Sequence, residues 1–592
     1  LEIAIFFNHF LRERKTESNN SIPLLLWIFF VFFIIIKIWL VSSQNLTALG
    51  HAAHDDLLFL NIAKELINSN WLGPYNNLTL AKGPFYPIWI ATVYKSGIPL
   101  LLSQHILYAI ACITFIIAIK PLLRSKLLIL FIFFLLLFNP MSFTSGVMTQ
   151  VLREGIYPAL TIFVISFAVG LLIRSFFGLS TIFWAVGLGF ALSAFWITCE
   201  EAIWVIPSIL LLLIFTAIQI WRQNPKRIIL LILPFIIFFA TTGGVAFINK
   251  IHYGIFTISE LKSSGFLSAY GALLRVKHNN WEPTIPVPKD VRESIYKVSP
   301  SFSELKPFLE GDIGGKWDVI KVIRNMMSKD PIFAQKVNRY LEDDRSGIWK
   351  KVIEDNNNND IHGGWFLWAL RDAAAASGYY TDAKKAEDYY IRLAGEINTA
   401  CSKGALLCGQ KRTTLMPPWH SEYINPLIKT FAWSIIFFTS FEGFDPNPDQ
   451  SIGKEDSLKL FRKLTRERLE TNSLTKRDIL KLEILKSIGY IYKIIIPILI
   501  LLTSIACIII TIQMFNKRSI FIYWVVIVSL VVAIVVRLFI FSMIHISSFP
   551  AILPYYLAPC YPLLLMFISI VFAYFLQKNN RILSYSKSKM KR

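Results

Sequence analysis

The run His51-Ala-Ala-His54-Asp55-Asp56 puts two adjacent carboxylates and two imidazoles just after the first long apolar segment of the chain. Adjacent carboxylates suit general-base catalysis or the binding of a hard divalent cation such as Mg or Mn. One of them has a plainer role open to it. An Asp ahead of the apolar pattern 57–66 caps a helix N-terminus and favours its dipole. That role needs one Asp and leaves the other surplus. Lys82 follows Trp71-Leu72-Gly73-Pro74 and precedes Gly83-Pro84-Phe85-Tyr86-Pro87. An ammonium at such a place either snorkels to lipid headgroups or meets a substrate phosphate as a point charge.

Further ionisable residues recur between and within apolar segments. Arg153-Glu154 reads as a surface ion pair of little worth, or as a second carboxylate facing Asp55 with a cation available to an anion. Glu200-Glu201 sits in a similar loop, and three acidic loops in one half of the chain exceed what solvation requires. Arg537 lies inside an apolar segment, where charges are costly and mark functional candidates. Lys37 is expected to snorkel. Trp365, Trp368, Tyr379, Tyr380 and the segment 417–423 are aromatic-rich, suiting carbohydrate or peptide binding, although core packing is the commoner cause. No Gly-rich phosphate loop, nucleophile elbow or zinc spacing occurs.

The elements that must position these residues are membrane helices. At 592 residues and 54% hydrophobic content the chain lies outside the soluble globular range. A span needs about 20 mostly apolar residues. Ten segments are expected to cross: 21–42, 99–119, 126–140, 156–174, 180–198, 202–221, 228–248, 490–514, 519–542 and 554–576. No cleavable signal peptide is expected, because 21–42 is too long and lacks a small-residue cleavage site.

The net charge of +21 gathers in short segments between spans: Arg12, Arg14 and Lys15; Lys120, Arg124 and Lys126; Arg222, Lys226 and Arg227; Lys517 and Arg518; and the tail to Lys591-Arg592. That is a positive-inside pattern, which orients the protein and does not recruit nucleic acid. It predicts both termini in the cytoplasm, with 43–82, 141–154, 199–201 and 250–488 outside and 84–98 as an interfacial helix.

The expected organisation is a transmembrane module over 1–249, a helical exoplasmic domain over 250–488, and three last spans with a basic tail over 489–592. Helices are predicted at 363–377 and 381–400, with Asn356–Asn359 between patterned stretches. The apolar run 431–441 is too short to span; it reads equally as a buried domain helix or an interfacial one. Cys401 and Cys408 lie close enough in an oxidising compartment to form a disulfide, whereas Cys112, Cys199, Cys507 and Cys560 read as packing residues.

Together these features resemble the GT-C superfamily of integral-membrane glycosyltransferases, in particular the protein O-mannosyltransferase and lipid A aminoarabinose transferase branch. Asp55-Asp56 with the helix pattern to Leu66 resembles that branch's acidic pair and juxtamembrane helix. Asn70-Trp71-Leu-Gly-Pro74 resembles the Trp and Pro that follow. Ala81-Lys82-Gly-Pro84-Phe-Tyr86 resembles its Lys-Pro segment, with Gly83 interposed. Tyr555-Tyr556-Leu-Ala-Pro559-Cys-Tyr-Pro562 is similar to its final-span motif, with Tyr555 where an arginine is usual. The likeness is good over 43–120, fair over 126–250 and 545–576, and absent over 250–488.

The resemblance implies a polyprenyl-phosphate-linked sugar donor and a hydroxyl acceptor on a glycan, lipid or protein, at the exoplasmic face of a bacterial inner membrane. It implies Asp55 as general base, Asp56 and Glu154 in support, and Lys82, Arg153 or Arg537 at the phosphate. His51, His54, Glu200, Glu201, Tyr86, Tyr555 and Tyr556 would line the site. A metal on Asp55, Asp56 and Glu154 is compatible with the family but not required by it. Rival readings are a flippase of lipid-linked sugars, which should show internal repeats and broken helices, and a polysaccharide polymerase or ligase.

Overall fold

The computed structural model describes residues 22–589, apart from 224, 279–280, 356–359, 471–473 and 515–517. Arg12, Arg14, Lys15, Asn356–Asn359, Lys517 and Lys591-Arg592 therefore lie outside the described residues. The chain is helical throughout, with no strand among the described residues and only isolated backbone bridges. Eight described helices are long and apolar enough to cross a membrane: Leu24–Val41, Leu100–Leu122, Tyr157–Phe177, Ala202–Arg222, Arg227–Tyr253, Lys476–Met514, Ile520–Ser547 and Pro554–Leu576. Helices suit that setting because every interior peptide group is satisfied within its own segment.

Two of the ten expected spans are shorter than anticipated. The segment 126–140 forms a helix only over Lys126–Leu137, because Asn139 and Pro140 open a new turn capped by the Asn139 side chain. The segment 180–198 is helical over Ile182–Thr198. Among the described residues the count of crossing-length helices is thus eight, and these two expected spans join Ser264–Leu274 as shorter apolar helices.

Lys37 does not snorkel. Its side chain is 1% exposed and its ammonium donates to the Leu137 carbonyl (2.8 Å) and to Ser142 Oγ (2.6 Å), 4.4 Å from the centre of the Tyr108 ring. It satisfies an orphan carbonyl at the negative end of the short helix Lys126–Leu137. The early stop of that helix and the burial of Lys37 are one feature.

The segment predicted at 84–98 is a helix over Phe85–Lys95, and those at 363–377 and 381–400 are Gly363–Ala376 and Ala383–Ser402. The run 431–441 belongs to Ile424–Thr439. One face of that helix packs on the end of Ile520–Ser547 through Phe431–Phe539 and Ser434–Ser542, while Ile428 and Ile436 stay exposed. Lys476–Met514 is one continuous helix of 39 residues through the expected domain boundary at 488. At 1.5 Å per residue it is about 58 Å long, roughly twice a hydrocarbon core.

The loop leaving the first span is buried from Ser43 to Ala48 and held by three distant segments. Thr47 N donates to Thr149 O, Leu46 N to Arg468 O, and Gly50 N to Ile452 O, at 2.7–2.8 Å. Gln44 Nε2 donates to both Phe143 O and Pro446 O. These bonds bring the loops bearing Asp55 and Glu154 side by side. Cys401 and Cys408 are joined in a disulfide.

Candidate functional site

Asp55 occupies the N-cap position of the helix Asp56–Ile67, yet its side chain makes no capping hydrogen bond. It pairs instead with the Lys82 ammonium. The carboxylate is 56% exposed although its partner Lys82 is only 10% exposed, so the pair forms a recess with the carboxylate at its open side. Burial works to raise its pKa, but Lys82, then Arg153 and His54, outweigh it and hold Asp55 below the ordinary carboxylate value. Asp56 is the opposite case. It is 1% exposed, accepts the Val151 N–H at 3.3 Å, and is pushed up to about 8 by burial and by the charge of Asp55. One residue apart, the first is open and ionised and the second is closed and protonated at neutral pH.

Lys82 reaches Asp55 because Gly83 lets the backbone run against the carbonyl of Ile197. A Cβ on Gly83 would lie 1.8 Å from that oxygen, and the Gly83 N–H points at Glu200 Oε1, 3.3 Å away. The glycine between Lys82 and Pro84 is thereby explained. Tyr86, fully buried, packs edge-on to Phe59, accepts from Gln104 Nε2 at 3.1 Å, and lies within electrostatic reach of Asp56 and Glu154.

Arg153 does not stand free for an anion. It pairs with Glu200, with Glu201 at 3.5 Å and with Glu154 at 3.6 Å. Burial opposes its charge, but Cys199 and the three glutamates reverse that effect and keep it more firmly protonated than an ordinary arginine. Burial lifts Glu154 above its usual value despite Arg153, and Glu201 adds to the rise. Burial also works to raise Glu201, but Arg153 and Arg537 overcome it and hold Glu201 low. One guanidinium shared among three carboxylates leaves no cation free for an anion.

Arg537 is likewise closed, at 1% exposure. It donates to the Tyr556 carbonyl through Nε (2.9 Å) and Nη2, and lies among the rings of Phe541, Trp204 and Tyr157. It braces the turn that carries Tyr555 and Tyr556, which lie within electrostatic reach of Asp55 and Glu154. Of the three cations expected at the phosphate, Lys82 alone contacts the open carboxylate. His51 is exposed beside the recess, whereas the His54 ring turns away to Asp372 at 3.3 Å.

Asp55, Asp56 and Glu154 do not gather as a ligand set. Asp55 is held by Lys82, Asp56 by a backbone N–H and Glu154 by Arg153, and no group of three His, Cys, Asp or Glu side chains among the described residues is arranged to hold a metal ion.

The segment 250–488, expected as a separate domain, also reaches the site, which the sequence left unseen. Trp368 lies with its ring centre 5.7 Å from Lys82 Nζ, and Asp372, one helical turn on, accepts from His54 and from Asn77 (2.7 Å). Their i, i+4 spacing within a helical pattern was the one available signal. Glu260 and Arg371 add a buried pair at 2.7 Å that also holds Tyr75 and the Asn77 carbonyl. Lys262 lies over the Trp196 ring and, 3.4 Å from the Cys199 carbonyl, closes the end of the helix Ile182–Thr198.

Comparison with protein-family models, with curated proteins and with solved structures finds no match to this chain. The reading of the site therefore rests on its residues.

Proposed function

We propose that this protein is an integral-membrane glycosyltransferase of the GT-C kind, using a polyprenyl-phosphate-linked sugar and a hydroxyl acceptor. The observation that carries the proposal is Asp55: a carboxylate at a helix cap position that does not cap, open in a recess and paired with Lys82. A purely structural acid would cap, as Asp330 and Asp382 do on their own helices. The two shorter apolar helices complete ten crossings in this reading. In this reading the basic segments and both termini lie in the cytoplasm, and the recess faces the exoplasmic side of a bacterial inner membrane.

The mechanism follows from the Asp55–Lys82 pair. While Lys82 holds Asp55, the carboxylate is a weak base. An arriving lipid phosphate competes for the ammonium. As Lys82 turns to it, the proton affinity of Asp55 rises, so donor binding activates the base. Asp55 then takes the proton of the acceptor hydroxyl, and the oxygen attacks the anomeric carbon as the bond to the phosphate oxygen breaks. The configuration inverts, and Lys82 neutralises the departing phosphate in a site where little water remains to compete. Asp56, neutral beneath, adds no second negative charge to repel the donor. The Arg153 cluster supports the wall.

Replacing Asp55 with Asn tests this directly. Membranes bearing the variant should lose transfer by about 10²–10⁴-fold with normal insertion, and mass spectrometry of surface glycans should show one missing sugar. Undiminished transfer in those membranes removes Asp55 as the base.

A further inference from the structure

The inserted domain presents aromatic rings beside the open carboxylate, and the reaction above makes no use of them. Trp317, at the end of the short helix Asp312–Trp317, and Trp368 lie nearly parallel at 17°, with ring centres 6.4 Å apart. The imidazole of His54 meets both edge-on, at 4.8 and 5.0 Å. Asp372 holds the group together. One of its oxygens accepts from Asn77 and His54, and the other from Trp317 Nε1 (2.9 Å) and Lys316 (3.4 Å).

Two features separate this cluster from ordinary core packing. Both indoles remain partly exposed. They also belong to different cores: Trp368 packs against the transmembrane core and Trp317 against that of the inserted domain, so they meet at the seam, where ligand sites concentrate. Each indole carries one ammonium over its ring, Lys82 Nζ 5.7 Å from the centre of Trp368 and Lys316 Nζ 5.3 Å from that of Trp317, against 4.4 Å for Lys37 on Tyr108. At those distances the ammoniums can also donate to the hydroxyl groups of a ring stacked beside them.

We infer that Trp317 and Trp368 form a saccharide subsite for the acceptor, so that the hydroxyl offered to Asp55 belongs to a glycan. This rests on the glycosyltransferase reading above. A pyranose has an apolar C–H face that stacks on an indole and a rim of hydroxyls that needs donors and acceptors, and the cluster supplies both. A lipid acceptor would call for apolar walls in place of the Lys316, Asn77 and His54 rim. Donor and acceptor sugars share the ring chemistry, but the donor sugar must lie between the phosphate on Lys82 and Asp55. Lys82 borders Trp368, so a ring resting on Trp317, one indole further on, is the acceptor's.

The test is saturation-transfer NMR on the full chain in lipid nanodiscs. The probes are glucose, galactose, mannose, N-acetylglucosamine, glucuronic acid and their disaccharides, with a serine-containing peptide as control. Transfer to pyranose C–H protons is expected for the wild type. Binding should weaken about tenfold or more in Trp317→Ala and Trp368→Ala, whereas Trp317→Phe, which keeps a stacking face and the fold, should recover most of it. No transfer to any saccharide, transfer unchanged in both alanine variants, or a response confined to the peptide overturns the inference. Adding polyprenyl-phosphate-linked glucose or mannose separates the two sources: retained saccharide signal supports the acceptor, and displacement overturns that assignment in favour of the donor. Because this readout is binding and not turnover, failure of the platform appears in the alanine variants here, whereas failure of the base appears only in the sugar-transfer assay.

Discussion

The recess at Asp55 and the cluster at Arg153 are built from the same residue types, with opposite outcomes. At Asp55 one carboxylate meets one ammonium with more than half its side chain in the open. At Arg153 one guanidinium meets three carboxylates, at most about a fifth exposed, and every charge has a protein partner. A count of acidic and basic residues cannot separate the two. Exposure does, because an ion pair open to solvent can be exchanged for a ligand at low cost, whereas a buried cluster is broken only by leaving charges stranded.

The largest contrast should come from removing the two cations. Arg153→Gln strands the glutamates in a buried site and is expected to cost about 3–5 kcal/mol, read as a large fall in the melting temperature of the purified protein. A variant that melts with the wild type would place the cluster among the exchangeable pairs.

Gly83→Ala should act next most strongly, and on transfer more than on stability. Its Cβ meets backbone, not a flexible side chain, so Lys82 must shift away from Asp55. A displacement of about 1 Å predicts roughly 100-fold slower transfer, measured with donor at saturation. Full activity would mean that the approach to Ile197 relaxes without moving Lys82.

Lys82→Met should be milder for the fold than Arg153→Gln, because it leaves a carboxylate that is 56% exposed and can be hydrated, while slowing transfer about tenfold or more. Asp55 would lose the leading cause of its low pKa, so the acidic limb of the pH–rate profile should move to higher pH. An unmoved limb would separate Asp55 from the titration.

The smallest effect is at Asp56. Its folded pKa of about 8 lies above the unfolded carboxylate value, so the native state binds the extra proton. Its contribution is full below about pH 4 and is lost as pH rises toward 8. Asp56→Asn should therefore flatten the fall in melting temperature between those values without lowering stability at neutral pH. An unchanged slope would show that Asp56 ionises freely.

Much of the fold was legible because a span announces itself by length and apolarity alone. The spans near 24–41, 157–177 and 554–576 stand where composition put them. Lys37 was misread because a lysine near a span end looks the same whether it reaches lipid headgroups or caps the end of a neighbouring helix 100 residues away. Arg153 was read as an anion site because sequence carries charge but not the three carboxylates that pair with it. Trp317 and Asn77 left no trace, and Asp372 only its spacing from Trp368, since Asn77 and Asp372 meet across 295 positions of sequence.

The sequence by itself determined a helical membrane chain with Asp55, Asp56 and Lys82 in adjoining loops, because apolar length and short-range spacing are local properties. The tertiary structure alone decided which Asp is open, which cation it meets, and that Trp368, with Trp317 stacked beside it, lies next to Lys82. Burial and pairing depend on what the rest of the chain places around a group.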